Sequence, residues 1–413
     1  MSSSVVDSTS GQRPRRTRRA RTTIGLVSAC SGVAQGFGRF SFAVMLPEMV
    51  RTYLHSYSLA GSLGLANVGA YLIGTASVSG LAARRSSRHL MLFGLVLSTT
   101  GMSLMAISPS LFLTFVAMVL AGIGGSFIWV PAPGMAAKVA PPRLRGLAMG
   151  LAAAGIGVAV TVSAQLARSL ANLPGQSPWR VQWGIQAACT VIVLVLAVAY
   201  LPKEQVGTSE VRGRARDLTL APGWRSVTLA YTAYGLSYAL FFTFFVAEIE
   251  KHSHLSTSRA SFDYGIIGLV SIFGGVFAGR VSDRVGRVPV MATGFVMMAG
   301  SSILVLYGGG WAQLVAAVAF GLPMSGVANA VAAYVGDLVP PRSFSGAFGL
   351  VTLCFGVTQA IANQLGGTLA TLLGGFAVDF KISLVAAMAG AVLSLSAGHF
   401  AKRARRAGLN SQT

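Results

Sequence analysis

Charged residues are scarce in this sequence, and acidic residues are the scarcest. Only 10% of the 413 residues are charged, with 11 Asp and Glu against 32 Lys and Arg, whereas 53% are hydrophobic and 50 are glycine. Soluble domains carry about 25% charged residues, and abundant glycine suits closely packed membrane helices. The composition therefore excludes an ordinary soluble protein and predicts an all-α polytopic membrane protein.

Cysteine and histidine are too few and too scattered for a disulfide framework or a metal centre. The three cysteines, Cys30, Cys189 and Cys354, lie in separate apolar runs. His252 and His254 are close together, but no third ligand accompanies them, and a protein zinc site uses three or four ligands. The sequence also has no nucleotide-binding loop. We therefore predict no cofactor, no metal, no ATP-driven step and no enzymatic activity.

Long apolar runs fill most of the chain. A helix needs about 20 apolar residues to cross the hydrocarbon core of a membrane. Twelve such runs can be placed, at 24–46, 57–80, 89–107, 110–137, 145–171, 181–201, 226–247, 261–282, 288–308, 311–337, 344–373 and 379–401. A polar stretch after the sixth run divides them evenly. The predicted organisation is a basic tail (1–23), an N-terminal six-helix bundle (24–201), a linker (202–225), a C-terminal six-helix bundle (226–401) and a second basic tail (402–413).

Lys and Arg lie mostly on one side of this arrangement. With both termini on the same side, that side receives 25 of the 32 Lys and Arg, the other side receives six, and Arg39 is left inside a span. Basic residues accumulate in cytoplasmic loops, so we predict a cytoplasmic (inner) membrane protein with both termini cytoplasmic. The basic residues are not interleaved with stacking aromatics, which argues against nucleic acid as a partner.

The basic segment before the first run resembles the start of a signal peptide. The run continues past Arg39 to Leu46, however, and many more spans follow. We therefore interpret it as a retained first helix.

The two halves of the sequence repeat each other at an offset of 199 residues. Pro141 to Arg143 matches Pro340 to Arg342, and Gln165 matches Gln364. Two parallel six-helix halves, related by an axis along the membrane normal, are a transporter architecture.

The segment Gly279 to Arg287, which reads GRVSDRVGR, resembles the signature loop of the major facilitator superfamily. Gly80 to Arg88 is a partial copy in which Arg84 replaces the Asp. The string GFGRF…LPEM in the first run is similar to the YbfB/YjiJ-like bacterial branch of that superfamily. The resemblance covers the chain outside its tails. It implies the fold of the superfamily, with 12 transmembrane helices in two pseudo-symmetric six-helix bundles, and secondary transport.

The same resemblance implies that the two loops latch the halves together in an outward-facing state. The candidate latch residues are Gly279, Asp283, Arg284, Gly286 and Arg287 in the second half and Gly80, Arg85 and Arg88 in the first. For Asp283 the alternative is an ordinary solvated loop charge.

Arg39 is a cation in the middle of the first apolar run. A charge at that depth costs at least about 2.5–3.5 kcal/mol, and such residues usually face a polar cavity where they act on a substrate or ion. Arg39 is therefore the leading candidate for a substrate ligand, although a structural bond to backbone carbonyls is the alternative. At the repeat offset its counterpart is Tyr238. Because a guanidinium binds carboxylate or phosphate with two parallel hydrogen bonds, this pairing favours a small organic anion with an apolar or ring portion.

Other polar and aromatic side chains recur at helical spacing within the spans. The substrate-binding candidates besides Arg39 are Gln35, Asn67, Tyr71, Trp129, Tyr234, Tyr238, Asn329, Gln359 and Asn363. For each Asn and Gln, a hydrogen bond between helices is an equally open interpretation. The acids lie near span ends, and Asp263 is the candidate for proton coupling.

We predict a secondary active transporter, a symporter or antiporter, that moves a small organic solute by alternating access. The expected solute is an anion such as a carboxylate, with H⁺ as a candidate co-substrate, the lipid bilayer as surroundings and the monomer as the functional unit. A drug or metabolite exporter on the same fold is the alternative. A membrane receptor is disfavoured because the sequence shows no sensory or signalling domain.

Overall fold

The computed structural model describes residues 12–82, 84–172, 177–203, 216–406 and 408. Parts of the predicted tails (1–11, 407 and 409–413) and of the predicted linker (204–215) lie outside the described residues. Within those ranges the chain is helical throughout and contains no strand. The predicted all-α fold is confirmed.

The first helix, α1, is a continuous run of four segments, Gln12–Ser31, Gly32–Phe40, Ser41–Met49 and Val50–Leu54, of which the second and fourth are π-helical. The other long helices are α2 (Tyr57–Leu81), α3 (Ser87–Ile107), α4 (Leu111–Trp129, then Ala132–Val139), α5 (Arg145–Leu170), α6 (Pro178–Tyr200), α7 (Trp224–Lys251), α8 (Thr257–Val285), α9 (Arg287–Tyr307), α10 (Trp311–Leu338), α11 (Phe344–Leu373) and α12 (Ala377–Arg406). Within the described ranges, α2 to α12 are the 11 helices long and apolar enough to cross a membrane by length and composition.

Serine side chains mark where several helices begin. Ser56, Ser86, Ser110 and Ser256 each accept a hydrogen bond from the backbone N–H three residues later. Such a cap satisfies one of the N–H groups that the first turn of a helix leaves without a partner. Because Ser256 is a cap, α8 begins four residues before the predicted apolar run at 261.

The first helix extends further than its apolar run. The predicted span ends at residue 46, but α1 passes through Pro47 and continues to Leu54. Glu48 and Arg51 form an ion pair three residues apart on this extension. The helix ends at His55, which has a left-handed backbone (φ 54°).

The helices run alternately between two ends of the molecule. We call the end with the start of α2 the Tyr57 end, and the end with the α2–α3 and α8–α9 connections the tail end. The Tyr57 end also contains the α11–α12 connection, since Tyr57 packs edge-on against Phe376 with ring centroids 4.8 Å apart.

The two halves of the chain meet through small residues near the Tyr57 end. There α2 packs on α11, and α5 packs on α8. A Cβ added to Gly61 would lie 2.5 Å from the carbonyl oxygen of Asn363, and one added to Gly157 would lie 2.5 Å from the carbonyl oxygen of Gly268. The helix backbones therefore touch, as small residues allow in membrane proteins.

Toward the tail end the same helix pairs separate. A Cβ at Gly150 on α5 would meet only Val276, at 4.0 Å, and the corresponding space at Gly146 on α5 and Gly349 on α11 is open. The two halves are thus in contact at the Tyr57 end and apart at the tail end along these helices.

Candidate substrate site

Arg39 lies near the end of the π-helical segment of α1. The backbone N–H of Ser41 donates to the carbonyl of Gly36, five residues earlier, and the Ser41 hydroxyl bonds the same oxygen at 3.1 Å. A π-helical turn carries an extra residue, and such turns occur often at functional sites.

Among the residues that the structure describes, the guanidinium of Arg39 has only neutral hydrogen-bond partners. Its Nη1 donates to Oε1 of Gln35 at 3.3 Å, and its Nη2 donates to Oε1 of Gln359, which belongs to α11 in the other half. It also lies over the rings of Tyr71 (5.2 Å) and Phe40 (5.4 Å). No ion pair joins Arg39 to a carboxylate anywhere in the described ranges. The positive charge is therefore solvated by amide oxygens and aromatic faces and is not neutralised.

A small cavity lies beside Arg39, between α1, α2, α7 and α11. Its volume is about 30 Å³, which holds about two water molecules. Five of the predicted site residues line it: Arg39, Asn67, Tyr238, Gln359 and Asn363. The Arg39–Tyr238 pairing suggested by the repeat thus corresponds to two walls of one cavity. An organic ligand would need the space now taken by the Gln359 side chain.

An aromatic stack on α7 forms one side of this region. Tyr231, Tyr234, Tyr238 and Phe242 follow one another with ring centroids 5.5 Å apart at each step. Phe355 of α11 stacks on Tyr231 at 4.8 Å. Offset-stacked rings add about 0.5–1.5 kcal/mol per pair beyond burial, so this wall is well ordered.

Phe40, Phe242 and Thr243 also line the cavity, although they are not among the substrate-binding residues predicted from the sequence. Phe242 lies four residues after Tyr238, and Phe355 lies four residues before Gln359. The same helical spacing that selected the tyrosines would therefore have found both phenylalanines.

Two predicted site residues are held by bonds to other helices of the protein. Asn67 donates to the carbonyls of Gly38 (3.3 Å) and Met118 (2.9 Å), which ties α2 to α1 and α4. Asn363 accepts from the Thr243 hydroxyl at 2.9 Å. These are the interhelical bonds that the sequence left open as the alternative.

Tyr234 is likewise occupied, because its hydroxyl donates to the carbonyl of Met324. Gln35 differs from these residues: its Oε1 accepts from Arg39, while its buried Nε2 has no partner within the described ranges.

Trp129 and Asn329 do not line the cavity. Trp129 is the last residue before the break in α4. Asn329 lies on α10, and its Nδ2 is 2.7 Å from the position that a Cβ at Gly275 of α8 would take. Their role in substrate binding stays a prediction.

Asp263 lies near the Tyr57 end of α8. Its carboxylate is fully buried and accepts from Nε of Arg259 at 3.0 and 3.2 Å. Arg259 in turn lies 4.8 Å over the ring of Trp311. The predicted proton-coupling acid therefore has its own cation.

The candidate latch residues make their contacts within one half. Asp283 pairs with Arg287, which also bonds Ser282 at 2.7 Å and Asp337 of α10 at 3.4 Å. Gly286 has a positive φ of 95°, which a glycine adopts without strain. These bonds order the α8–α9 connection.

The remaining latch candidates lie at the tail end. In the part of the chain that the structure describes, none of them forms a bond between the two halves. Arg88 donates to the carbonyl of Val198 at 2.6 Å, within the first half. Arg284, Arg85 and Gly80 are exposed. This matches the separation of the halves at the tail end, and the latch role stays a prediction.

Comparison with known proteins identifies relatives over nearly the whole chain. The sequence profile described as "Uncharacterised MFS-type transporter YbfB" matches residues 31–397. The "Uncharacterized MFS-type transporter YceJ" of Bacillus subtilis (strain 168) is 24% identical over 279 residues, which is 64% of this chain and 67% of that protein. "Monocarboxylate transporter 13" of Rattus norvegicus is 23% identical over 368 residues, covering 87% of this chain and 85% of that protein.

Solved structures show the same fold at low sequence identity. A mutant of the peptide transporter POT superposes with a TM-score of 0.73 at 14% identity and covers 94% of this chain and 99% of that chain. A bacterial homolog to the human lysosomal transporter Spinster, in an inward-facing and occupied conformation, gives a TM-score of 0.71 at 14% identity, with 95% and 97% covered. These likenesses establish the architecture of twelve helices.

Proposed function

Since this chain belongs to the YbfB-like family of the major facilitator superfamily and is a multi-pass membrane transporter, we propose that it is a secondary transporter of a small organic anion. The observation that carries the proposal is Arg39, a cation inside the helix bundle with only neutral partners. The proposed anion is a carboxylate or a phosphate with an apolar or ring portion.

The balance of charge at Arg39 favours an anionic substrate. A buried cation keeps a large desolvation penalty unless an opposite charge lies beside it. Two amide oxygens offset only part of that penalty, because they supply dipoles and no net charge. A carboxylate that replaced Gln359 would take two parallel N–H bonds from the guanidinium. The aromatic stack on α7 would then contact the apolar part of the same molecule.

The Gln359 bond gives anion binding a link to the motion of the protein. It joins α11 to α1, and so it crosses between the two halves. An anion that competes for Arg39 changes the contact between the halves at the level of the cavity. We propose that the bundles 24–201 and 226–401 rock against each other in response, with the loops around Asp283 and Gly80 as the latch when the tail end closes.

The proposal also includes the membrane, the orientation and the oligomeric state of the protein. The tail end, which carries most of the basic residues, faces the cytoplasm, and the linker 202–225 and both tails lie on that side. The chain acts as a monomer in the inner membrane. The printed name of the rat relative, a monocarboxylate transporter, agrees with a carboxylate substrate at 23% identity.

The test is a ligand-dependent stability measurement on the full chain in lipid nanodiscs. Benzoate and phenyl phosphate are the anionic probes, and benzamide is the neutral control of the same shape. A ligand at 100 times its Kd stabilises the folded state by about 2.7 kcal/mol, so an anion that binds should raise the Tm of the wild type by several degrees.

Arg39→Gln should abolish the rise in Tm with either anion. Arg39→Lys, which keeps the charge but loses the planar fork, should retain only part of it. An equal rise with benzamide, or an unchanged rise in Arg39→Gln, would show that Arg39 does not bind the anion.

A further inference from the structure

Two buried carboxyl groups lie together at the Tyr57 end of the second half. Glu248 is in the last turn of α7 and Asp379 is in the first turn of α12, and their exposed fractions are 2% and 0%. Phe376, three residues before Asp379, stacks on Phe244, four residues before Glu248. The connection between α11 and α12 therefore holds the two acids as neighbours.

Most of the oxygens of this acid pair have no partner. Oε1 of Glu248 and both carboxylate oxygens of Asp379 are buried without a hydrogen bond in the part of the chain that the structure describes. Two other acids at the same end contrast with them, because Glu48 is paired with Arg51 and Asp263 with Arg259. Within the described ranges, Glu248 and Asp379 are thus buried acids without a cation bonded to them.

The ionisable groups around the pair do not neutralise it. On α7, Lys251 and His252 follow Glu248 by three and four residues and act on it only through space. Glu250 is a further acid on α7 with a buried oxygen that has no partner among the described residues. On α12, Lys381 is exposed.

From the first half, the pair is approached by α1 and α2. The Nζ of Lys251 lies 5.9 Å over the ring of Tyr57 at the start of α2. Arg51 of α1 is bonded to Glu48. Both cations are therefore engaged elsewhere.

The surroundings of the pair are aromatic and buried. Phe376 and Phe380 are fully buried; Phe376 stacks on Phe244 at 5.3 Å, and Phe380 packs on Phe241 at 5.4 Å. Ionised carboxylates in such a place would each lose their hydration without compensation and would repel each other. A bound proton removes both costs, because a neutral carboxyl group can donate to its neighbour.

The cover over the acid pair comes from the other half of the molecule. Tyr57 packs edge-on against Phe376 at 4.8 Å, and its carbonyl oxygen lies directly against Gly367 of α11. When the Tyr57 end opens, α2 must leave α11 and this cover leaves with it. Water would then reach the pair and hydrate its ionised form.

We propose that Glu248 and Asp379 form a proton-binding site that is loaded when the Tyr57 end is closed and emptied when it opens. The proton comes from water and binds a carboxylate oxygen, and no other bond is made or broken. Asp263, the acid selected from the sequence, needs no proton because Arg259 balances its charge. The inference rests on the alternating access of the proposed function but not on an anion at Arg39, so either can fail alone.

The test measures how far the Tyr57 end opens as the pH changes. The three native cysteines are replaced by alanine in the full chain. Nitroxide labels are placed on Ile107→Cys in the first half and Leu372→Cys in the second, since these side chains are 72% and 75% exposed at the Tyr57 end. Pulsed electron paramagnetic resonance in nanodiscs then gives the distance distribution between the labels. A single linked proton changes the open-to-closed ratio by up to about tenfold per pH unit.

The parent should move toward longer distances between about pH 6 and about pH 9, a range in which buried carboxyl groups are known to titrate. The double variant Glu248→Gln/Asp379→Asn, which imitates the protonated pair, should keep the short distance throughout. Glu48→Gln, Asp263→Asn and His252→Ala are the matched controls, and each should keep the response of the parent. An unresponsive parent, a responsive double variant, or loss of the response in a control would overturn the proposal.

A second measurement does not depend on the stability of the double variant. Infrared spectra of the wild type should show the carbonyl band of a protonated carboxylic acid at about pH 6, and the band should shift in the conservative variant Asp379→Glu. Absence of that band from the wild type would also refute the proposal.

Discussion

Replacing Gln359 by Glu would place a carboxylate beside the guanidinium of Arg39 with almost no change in shape. The present bond runs from Nη2 of Arg39 to Oε1 of Gln359, so the new side chain already has the right position to form an ion pair. The variant would carry its own anion at the site where we propose that the substrate binds.

The expected sizes of the effects follow from the setting of this bond. Opposite charges 4 Å apart attract by about 4 kcal/mol at an effective dielectric constant of 20. Burying the new carboxylate costs several kcal/mol, so the free energy of unfolding should change little. A substrate anion, however, must compete with the internal carboxylate. If it loses about 2.8 kcal/mol of the attraction to Arg39, its affinity falls about 100-fold.

The assay is a benzoate titration of wild-type and Gln359→Glu protein in nanodiscs, followed by thermal stability. Gln364→Glu is the matched control, because Gln364 lies on the same helix and also bonds the first half, through the Ser62 hydroxyl at 2.6 Å. It should bind benzoate as the wild type does. Normal benzoate binding by Gln359→Glu, or an equal loss of binding in both variants, would show that the anion does not compete for Arg39.

Two further substitutions test the contacts between the halves. Gly157→Ala would put a Cβ 2.5 Å from the carbonyl oxygen of Gly268 and should destabilise the protein by about 1–3 kcal/mol as an overpacked contact, which a lower Tm would show. Gly146→Ala, at an open position, should be neutral or stabilising. Equal effects of the two substitutions would mean that the α5–α8 contact is not tight. Asp283→Asn removes the charge that pairs with Arg287. It should increase the labelling of single cysteines in the tail-end cleft and leave benzoate binding intact. Unchanged labelling would argue against a latch.

The helices were predictable because their signals are local. Apolar runs of membrane-spanning length and serine caps are properties of neighbouring residues. Helix ends were harder to predict where a polar extension of the helix continues beyond the hydrocarbon core. The α1 helix continues to Leu54 through the polar residues Glu48 and Arg51, so a prediction from hydropathy alone ends it at Leu46.

The site was predictable only in part. The intramembrane charge and the repeat brought Arg39 and Tyr238 into one hypothesis, and the structure brings them to one cavity. Gln359 was a candidate, but its direct bond to Arg39 could not be predicted, because the two residues are 320 positions apart in the sequence. The pairing of Arg259 with Asp263, by contrast, has the four-residue spacing of a helical ion pair and could have been recognised.

The backbone contact between α5 and α8 has a consequence for the energetics of rocking. Glycine has no side-chain rotamers, so Gly157 and Gly268 themselves lose no side-chain entropy when their helices meet, while Val160, Ser271 and Ile272 border the contact. The side-chain entropy lost on closing is therefore smaller where Gly157 meets Gly268 than it would be with larger residues at these two positions. The two helices can therefore separate and rejoin with a small loss of side-chain entropy. Polar groups then contribute much of the free-energy difference between the closed and open forms, and a ligand or a proton can change each of them.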